Sequence, residues 1–248
     1  MRKPLIAANW KMNLTVKEAV RLATSLKQKL KKVKNKEILL CPSFTALQEV
    51  NKAIKNSNIK LGAQDVCYKD KGAYTGEISP KMLKEFGCKY VIVGHSERRH
   101  IFNETDNIIN LKLKNALKNK LNPILCVGET LTERKSNKTK KVIINQIKKG
   151  LKDVSKKDMK NVVIAYEPVW AIGTGKTSSP QDAQKSHNTI RNRINKIYSK
   201  GISKKIRILY GGSVTPDNSK ELIAQPDIDG SLVGTKSLKA QDFSRIIK

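Results

Sequence analysis

The chain has 248 residues and a formal net charge of +29 at pH 7, from 50 Lys and Arg against 21 Asp and Glu. That length builds a core without disulfide staples, and 38% hydrophobic content spread in runs along the whole chain excludes wholesale disorder. No run approaches the roughly 18 apolar residues of a membrane span, and Leu5-Ile6-Ala7-Ala8 is too short for a signal-peptide core.

Short β-rich apolar runs recur at 4–9, 37–41, 59–64, 90–94, 123–127, 162–166, 207–210 and 231–233, eight in all. Most are continuous rather than alternating, as in Tyr90-Val91-Ile92-Val93 and Val162-Val163-Ile164-Ala165. Such runs suit parallel strands covered on both faces. Between them lie helix-period stretches. Val16, Ala19, Val20, Ala23, Leu26 and Leu30 share one face with lysines opposite, and Ile190, Ile194 and Ile197 repeat the pattern. Ser79-Pro80, Ser179-Pro180 and Thr215-Pro216 each read as an N-cap followed by proline in the first helical turn. Eight strand–helix units with no Pro/Gly/Ser-rich linker predict an α/β chain. The expected fold is a single-domain (β/α)8 TIM barrel over residues 1–248, in preference to a doubly wound sheet. The four cysteines, Cys41, Cys67, Cys88 and Cys126, form no CxxC pair, and read as buried thiols of a cytoplasmic protein.

In a barrel the functional loops follow the strands. The first strand ends in Asn9-Trp10-Lys11, whose lysine alone would pass for a surface charge. The fourth ends in Gly94-His95-Ser96-Glu97-Arg98. A histidine there points into the barrel mouth, and a short helix starting beyond it favours a neutral imidazole that can donate to a developing oxyanion. The sixth ends in Tyr166-Glu167-Pro168, so Glu167 follows an apolar strand and is partly desolvated, which suits a general base; a salt-bridge role stays open. Residues 171–177, Ala-Ile-Gly-Thr-Gly-Lys-Thr, end like a nucleotide-binding Walker A loop, but Trp170 stands where that motif needs its first glycine. A glycine-hinged lid between Pro168 and Pro180 fits better. Gly211-Gly212-Ser213 and Gly234-Thr235 close the seventh and eighth strands, where barrels commonly cradle phosphate with backbone N–H groups. One carboxylate, one histidine, one lysine, a lid and an anion cradle, with no metal-ligand set, suit proton transfer beside the carbonyl of a small phosphate ester.

The charge invites a competing reading. Lysines cluster at 27–36, 148–160 and 196–205, on helix faces or just after helices, and aromatics are only 5%. That pattern predicts a solvated basic coat with weak, salt-sensitive binding of polyanions, not a specific nucleic-acid site. An inactive barrel kept for scaffolding is a third reading, against which the joint presence of Lys11, His95 and Glu167 argues.

Seven segments carry a resemblance that spans nearly the whole chain: residues 9–13, 72–77, 94–99, 126–130, 165–176, 210–214 and 225–230. In this order they resemble the triosephosphate isomerase family. The resemblance implies a glycolytic and gluconeogenic isomerase that interconverts dihydroxyacetone phosphate and D-glyceraldehyde 3-phosphate through an enediolate, without cofactor or metal. It implies that Glu167 moves the proton between carbons and that His95 polarises the carbonyl and shuttles protons between oxygens. Lys11 supplies positive charge, Asn9 orients the substrate, and Glu97 positions Lys11 or Asn9, with Ser96 and Ile172 supporting. The lid, 168–176, would close over the phosphate with Gly173 donating a backbone N–H, latched by Tyr210 and Ser213, while Gly234 and Thr235 hold the phosphate. A homodimer is implied, with the 64–77 loop projecting into the neighbour, Thr75 near its site, and Arg98 and Glu104 supporting the contact. Three departures stand out. Ala8 and Leu14 replace frequent glycines, which implies modest backbone adjustment in the first loop. Thr235-Lys236 replaces the common Gly-Ala; Thr235 crowds the phosphate only if its φ is positive, and Lys236 either strengthens anion attraction or points to solvent, the second being the expectation.

Overall fold

The computed structural model describes residues 2–172 and 178–248. Its strands are β1 (Leu5–Asn9), β2 (Glu37–Cys41), β3 (Ile59–Ala63), β4 (Tyr90–Val93), β5 (Asn122–Val127), β6 (Val163–Tyr166), β7 (Arg207–Tyr210) and β8 (Gly230–Val233). Each lies parallel to the next, and β8 closes on β1 from Leu5↔Gly230 to Ala8↔Val233. The result is a (β/α)8 barrel, and every predicted strand lies within one residue of an observed one.

Closure explains why the strands lack visible alternation. Leu5, Ala7, Leu39, Ile92, Cys126, Ala165 and Leu209 belong to a core inside the barrel. Their neighbours Ile6, Ala8, Leu40, Val91, Val93 and Ile164 belong to a second core under the helices. Both faces are dry, so both sets of side chains are apolar. Ala8 fits this outer layer, paired with Leu40 and Val233, and needs no backbone adjustment. All four cysteines are free and buried.

Three of the helices show how local capping sets a start. Thr15 and Glu18 form a capping box at Val16–Leu30, which buries Ala19, Ala23, Leu26 and Leu30. Ser79 and Ser179 cap Pro80–Glu85 and Pro180–Ile197 as expected. Thr215-Pro216 does not open a helix. Thr215 and Asn218 cap each other, the Asn218 N–H donating to Thr215 Oγ1 and the Thr215 N–H to Asn218 Oδ1, and this closes a turn. Regular helix begins only at Ser219–Ile223. The three lysine clusters fall at helix C-termini and in the helix-to-strand connections, at the end of the barrel opposite the strand C-termini. There they oppose the negative ends of the helix dipoles.

That opposite end is closed by charge. Arg207 on β7 reaches across the barrel to Glu37 on β2 at 2.6 Å, and the Tyr90 hydroxyl on β4 donates to Glu37 at 2.8 Å. Arg207 also donates to the Tyr90 oxygen at 2.8 Å, and Lys60 approaches Glu37 at 2.7 Å. Burial pushes the Glu37 carboxyl up, but hydrogen bonds from Lys60, Tyr90 and Arg207 outweigh it and hold its pKa at about 2. A depressed carboxylate contributes stability that is present above the ordinary carboxylate pKa of about 4 and lost as pH falls through its folded value. The stability advantage of wild type over Glu37→Gln, measured by denaturant unfolding, should therefore shrink between about pH 4 and pH 2. At pH 7, Arg207→Met should cost about 2 kcal/mol, because Glu37 loses one charged donor and keeps Lys60 and Tyr90.

Candidate active site

At the C-terminal ends of the strands a cavity is lined by Asn9, Lys11, His95 and Glu167 together with Ile172, Gly211 to Val214, Leu232 and Gly234 to Lys236. The inner-face parity of the strands delivers several of these residues. Asn9 continues the inward series Leu5, Ala7; Glu167 continues Val163, Ala165; Gly211 follows Leu209; Gly234 follows Leu232.

Glu167 is only 2% exposed. Its Oε2 accepts the Ser96 N–H at 2.9 Å, while Oε1 has no hydrogen-bond partner and lies 3.3 Å from His95 Nε2. Two glycines make room for this residue. A Cβ on Gly128 would overlap the Glu167 carbonyl, and one on Gly211 would sit 2.8 Å from Glu167 Cγ.

His95 is the N-cap of Ser96–His100, and its Nδ1 accepts the Glu97 N–H at 3.2 Å. An accepting Nδ1 carries no proton, so the ring is neutral and presents Nε2–H toward the cavity and Glu167. Arg99 fixes the backbone that presents it, donating to the Gly94 and Cys126 carbonyls at 2.9 and 3.1 Å.

Lys11 adopts a left-handed backbone at φ 52°, held by its own N–H donating to Asn9 Oδ1 at 3.0 Å and by Gln64 donating to its carbonyl at 2.8 Å. Its ammonium is 2.6 Å from Glu97 Oε1, so Glu97 positions Lys11, whereas Asn9 is oriented by the Lys11 backbone. Leu14 carries the loop adjustment. It takes φ 72°, a conformation that costs a residue with a side chain roughly 1–2 kcal/mol, while its half-buried side chain packs on the core. Thr235 keeps a negative φ, so the condition for crowding is not met. Lys236 is exposed, as expected; it also borders the cavity, with its ammonium 3.4 Å from Asp242.

The other expected residues divide. Ser213, Gly234, Thr235 and Ile172 line the cavity. Tyr210 does not: its ring is fully buried in the outer core and its hydroxyl sits against Gly212. Burial pushes the Tyr210 phenol up to about 12, partly offset by the Ser178 backbone. Thr75 lies in the exposed 71–77 stretch of the third strand's loop, away from this chain's own cavity. Gly173 lies outside the described residues. Among the described residues, no group of three or more His, Cys, Asp or Glu is placed to hold a metal.

Glu129 was not anticipated. It is wholly buried and accepts from the Tyr166 hydroxyl at 3.1 Å and Trp170 Nε1 at 3.0 Å, with Arg134 3.6 Å away and stacked on the Trp170 ring. It ties the loop after β5 to the start of the loop after β6. A carboxylate just beyond a buried strand, the signal that marked Glu167, also marked Glu129.

The family model for triosephosphate isomerase matches residues 4–248. The chain belongs to the triosephosphate isomerase family. It is 54% identical over 247 residues to a triosephosphate isomerase of Thermoanaerobacter pseudethanolicus, covering 100% of this chain and 99% of that one. It is 54% identical over 248 residues to that of Endomicrobium trichonymphae, and 51% identical over 247 residues to that of Clostridium botulinum, with the same coverage of both chains. Because membership spans the whole barrel, the Gly211 contact has a kinetic consequence. In Gly211→Ala the new Cβ displaces Glu167, and kcat for triose phosphate isomerisation should fall about a hundredfold in a protein that still folds. An unchanged kcat would show that the carboxylate tolerates displacement.

Proposed function

We infer that the chain is an isomerase interconverting dihydroxyacetone phosphate and D-glyceraldehyde 3-phosphate in glycolysis and gluconeogenesis, with its site residues dividing the work as follows. The observation that carries this reading is the buried Glu167 carboxylate, one oxygen unpartnered, beside a neutral histidine in a cavity whose glycine-rich wall offers backbone amides. Glu167 takes a proton from the carbon next to the substrate carbonyl, and the bond electrons pass onto the carbonyl oxygen. His95 Nε2–H donates to that oxygen and moves the proton between the two enediolate oxygens. Glu167 then returns its proton to the neighbouring carbon. The Lys11 ammonium opposes the developing negative charge, and Asn9 orients the substrate. Backbone N–H groups of Ser213, Gly234 and Thr235 take the phosphate, joined by Gly173 from the lid, and Tyr210 and Ser213 latch that lid. No external electron carrier enters this scheme, because one carbon is oxidised as its neighbour is reduced.

The assembly we propose is a homodimer in the cytoplasm; among the described residues no helix is long and apolar enough to cross a membrane. Support for the dimer comes from the loops after β1 to β4, which leave large apolar side chains in water. Met12 is 96% exposed, Ile101 67% and Phe102 62%, with Phe44, Tyr74 and Met82 also exposed. A second copy is the partner that such a rim fits. The base of the projecting 64–77 loop is anchored by a buried ion cluster in which Asp65 and Glu104 meet Arg98 and Lys112.

Glu167→Gln keeps an oxygen for the Ser96 N–H but no base. It should fold normally by circular dichroism and lose at least about a thousandfold in kcat in a coupled assay; turnover within a few-fold of wild type would remove Glu167 from the role. Thr75→Arg should sediment as a monomer with reduced activity, and an unchanged sedimentation profile would count against the loop.

A further inference from the structure

Two lysines line the cavity, and their ammonium groups differ in standing. Lys11 is engaged at 2.6 Å by Glu97 and its side chain is 24% exposed. Lys236 is 45% exposed and its hydrogen bond to Asp242 is long, at 3.4 Å. Both belong to one neighbourhood: the Lys11 stem passes Gly234, where a Cβ would lie 3.5 Å from Lys11 Cε, and Gly234, Thr235 and Lys236 line the same cavity as Ser213. A half-exposed ammonium on a long flexible stem, paired loosely with one carboxylate, exchanges partners cheaply when a dianion arrives.

We propose that Lys236 is a mobile phosphate-binding cation of this chain, which leaves Asp242 for the substrate phosphate when the cavity fills. This rests on the isomerase reading only for the identity of the phosphate's bearer. Asp242 competes with the ligand for the same ammonium, so it tunes phosphate affinity downward. Lys236 acts on the phosphate and not on the carbons that react. It therefore stabilises the bound substrate and the transition state alike, and its effect falls on KM while kcat stays put.

The test measures inorganic phosphate binding by calorimetry, which needs no turnover, beside the kinetics of isomerisation. Lys236→Ala should weaken phosphate binding and raise KM about three- to fivefold with kcat unchanged, and Lys236→Arg should restore most of both. Asp242→Asn should do the opposite, tightening phosphate about twofold by releasing the lysine. Lys156→Ala, which removes the same charge from the other end of the barrel, controls for the overall field and should change neither quantity. Equal shifts for Lys236→Ala and Lys156→Ala, a fall in kcat at constant KM, or weaker phosphate binding in Asp242→Asn would each overturn the proposal. Failure of wild type to isomerise while these phosphate shifts hold would strike the reaction assigned and leave the Lys236 site standing.

Discussion

The alternation of side chains along a strand, imposed on eight parallel strands that close on themselves, is the constraint from which the rest of this molecule follows. Closure removes every sheet edge and leaves both faces dry, one against the barrel axis and one against the helices. Apolar residues fill both layers along the length of each strand. Polar groups on the inner face are tolerated only where the barrel opens, at its two ends. The same parity that buries Leu5 and Ala7 delivers Asn9 to one opening, and the parity of Leu209 delivers Arg207 to the other.

The two ends treat their charges in opposite ways. At the N-terminal end Glu37 collects Arg207, Lys60 and Tyr90, so a charge removed from water is compensated on several sides and the barrel is plugged. At the C-terminal end Glu167 is more deeply buried yet keeps one oxygen with no partner, and Lys11 sits on a strained backbone held by Asn9 and Gln64. Under-satisfied groups and local strain cost stability, and they persist where a ligand completes the arrangement. A stability requirement shapes one end and a reaction the other. Such asymmetry places an unpartnered carboxylate oxygen and a strained backbone at the mouth without weakening the barrel that aims them.

The large positive charge is arranged around this asymmetry. Its three dense clusters sit at helix C-termini, where cations offset the helix dipoles, at the end remote from the cavity. Among the described residues, the two lysines that line the cavity are each paired with a carboxylate, Lys11 with Glu97 and Lys236 with Asp242. The field of the whole molecule still draws anions toward its surface, which suits a phosphate-bearing substrate and makes encounter sensitive to ionic strength.

Much of this was legible in the chain alone. Apolar runs bounded by turn residues mark eight strands to within one residue, because a strand buried on both faces tolerates little else. Ser79 and Ser179 before proline mark helix starts because capping is local chemistry. Thr215-Pro216 misleads for the same reason: its cap is satisfied by Asn218 within a turn, and regular helix starts only at Ser219. Asn9, Lys11, His95 and Glu167 stand out as polar residues just beyond buried strands. Local turns supply some of their contacts, Asn9 to the Lys11 N–H and Glu97 N–H to His95, but the contacts that join them into one site come from distant parts of the chain and were decided by tertiary structure. Barrel closure chose Lys11 over Asn9 for Glu97, brought the Ser96 amide to Glu167, and made Glu129 the anchor of Tyr166 and Trp170. It also set Lys236, a surface lysine, at the border of the cavity. Sequence determines which side chains are polar and on which face of a strand they fall; only the closed barrel determines which of them meet.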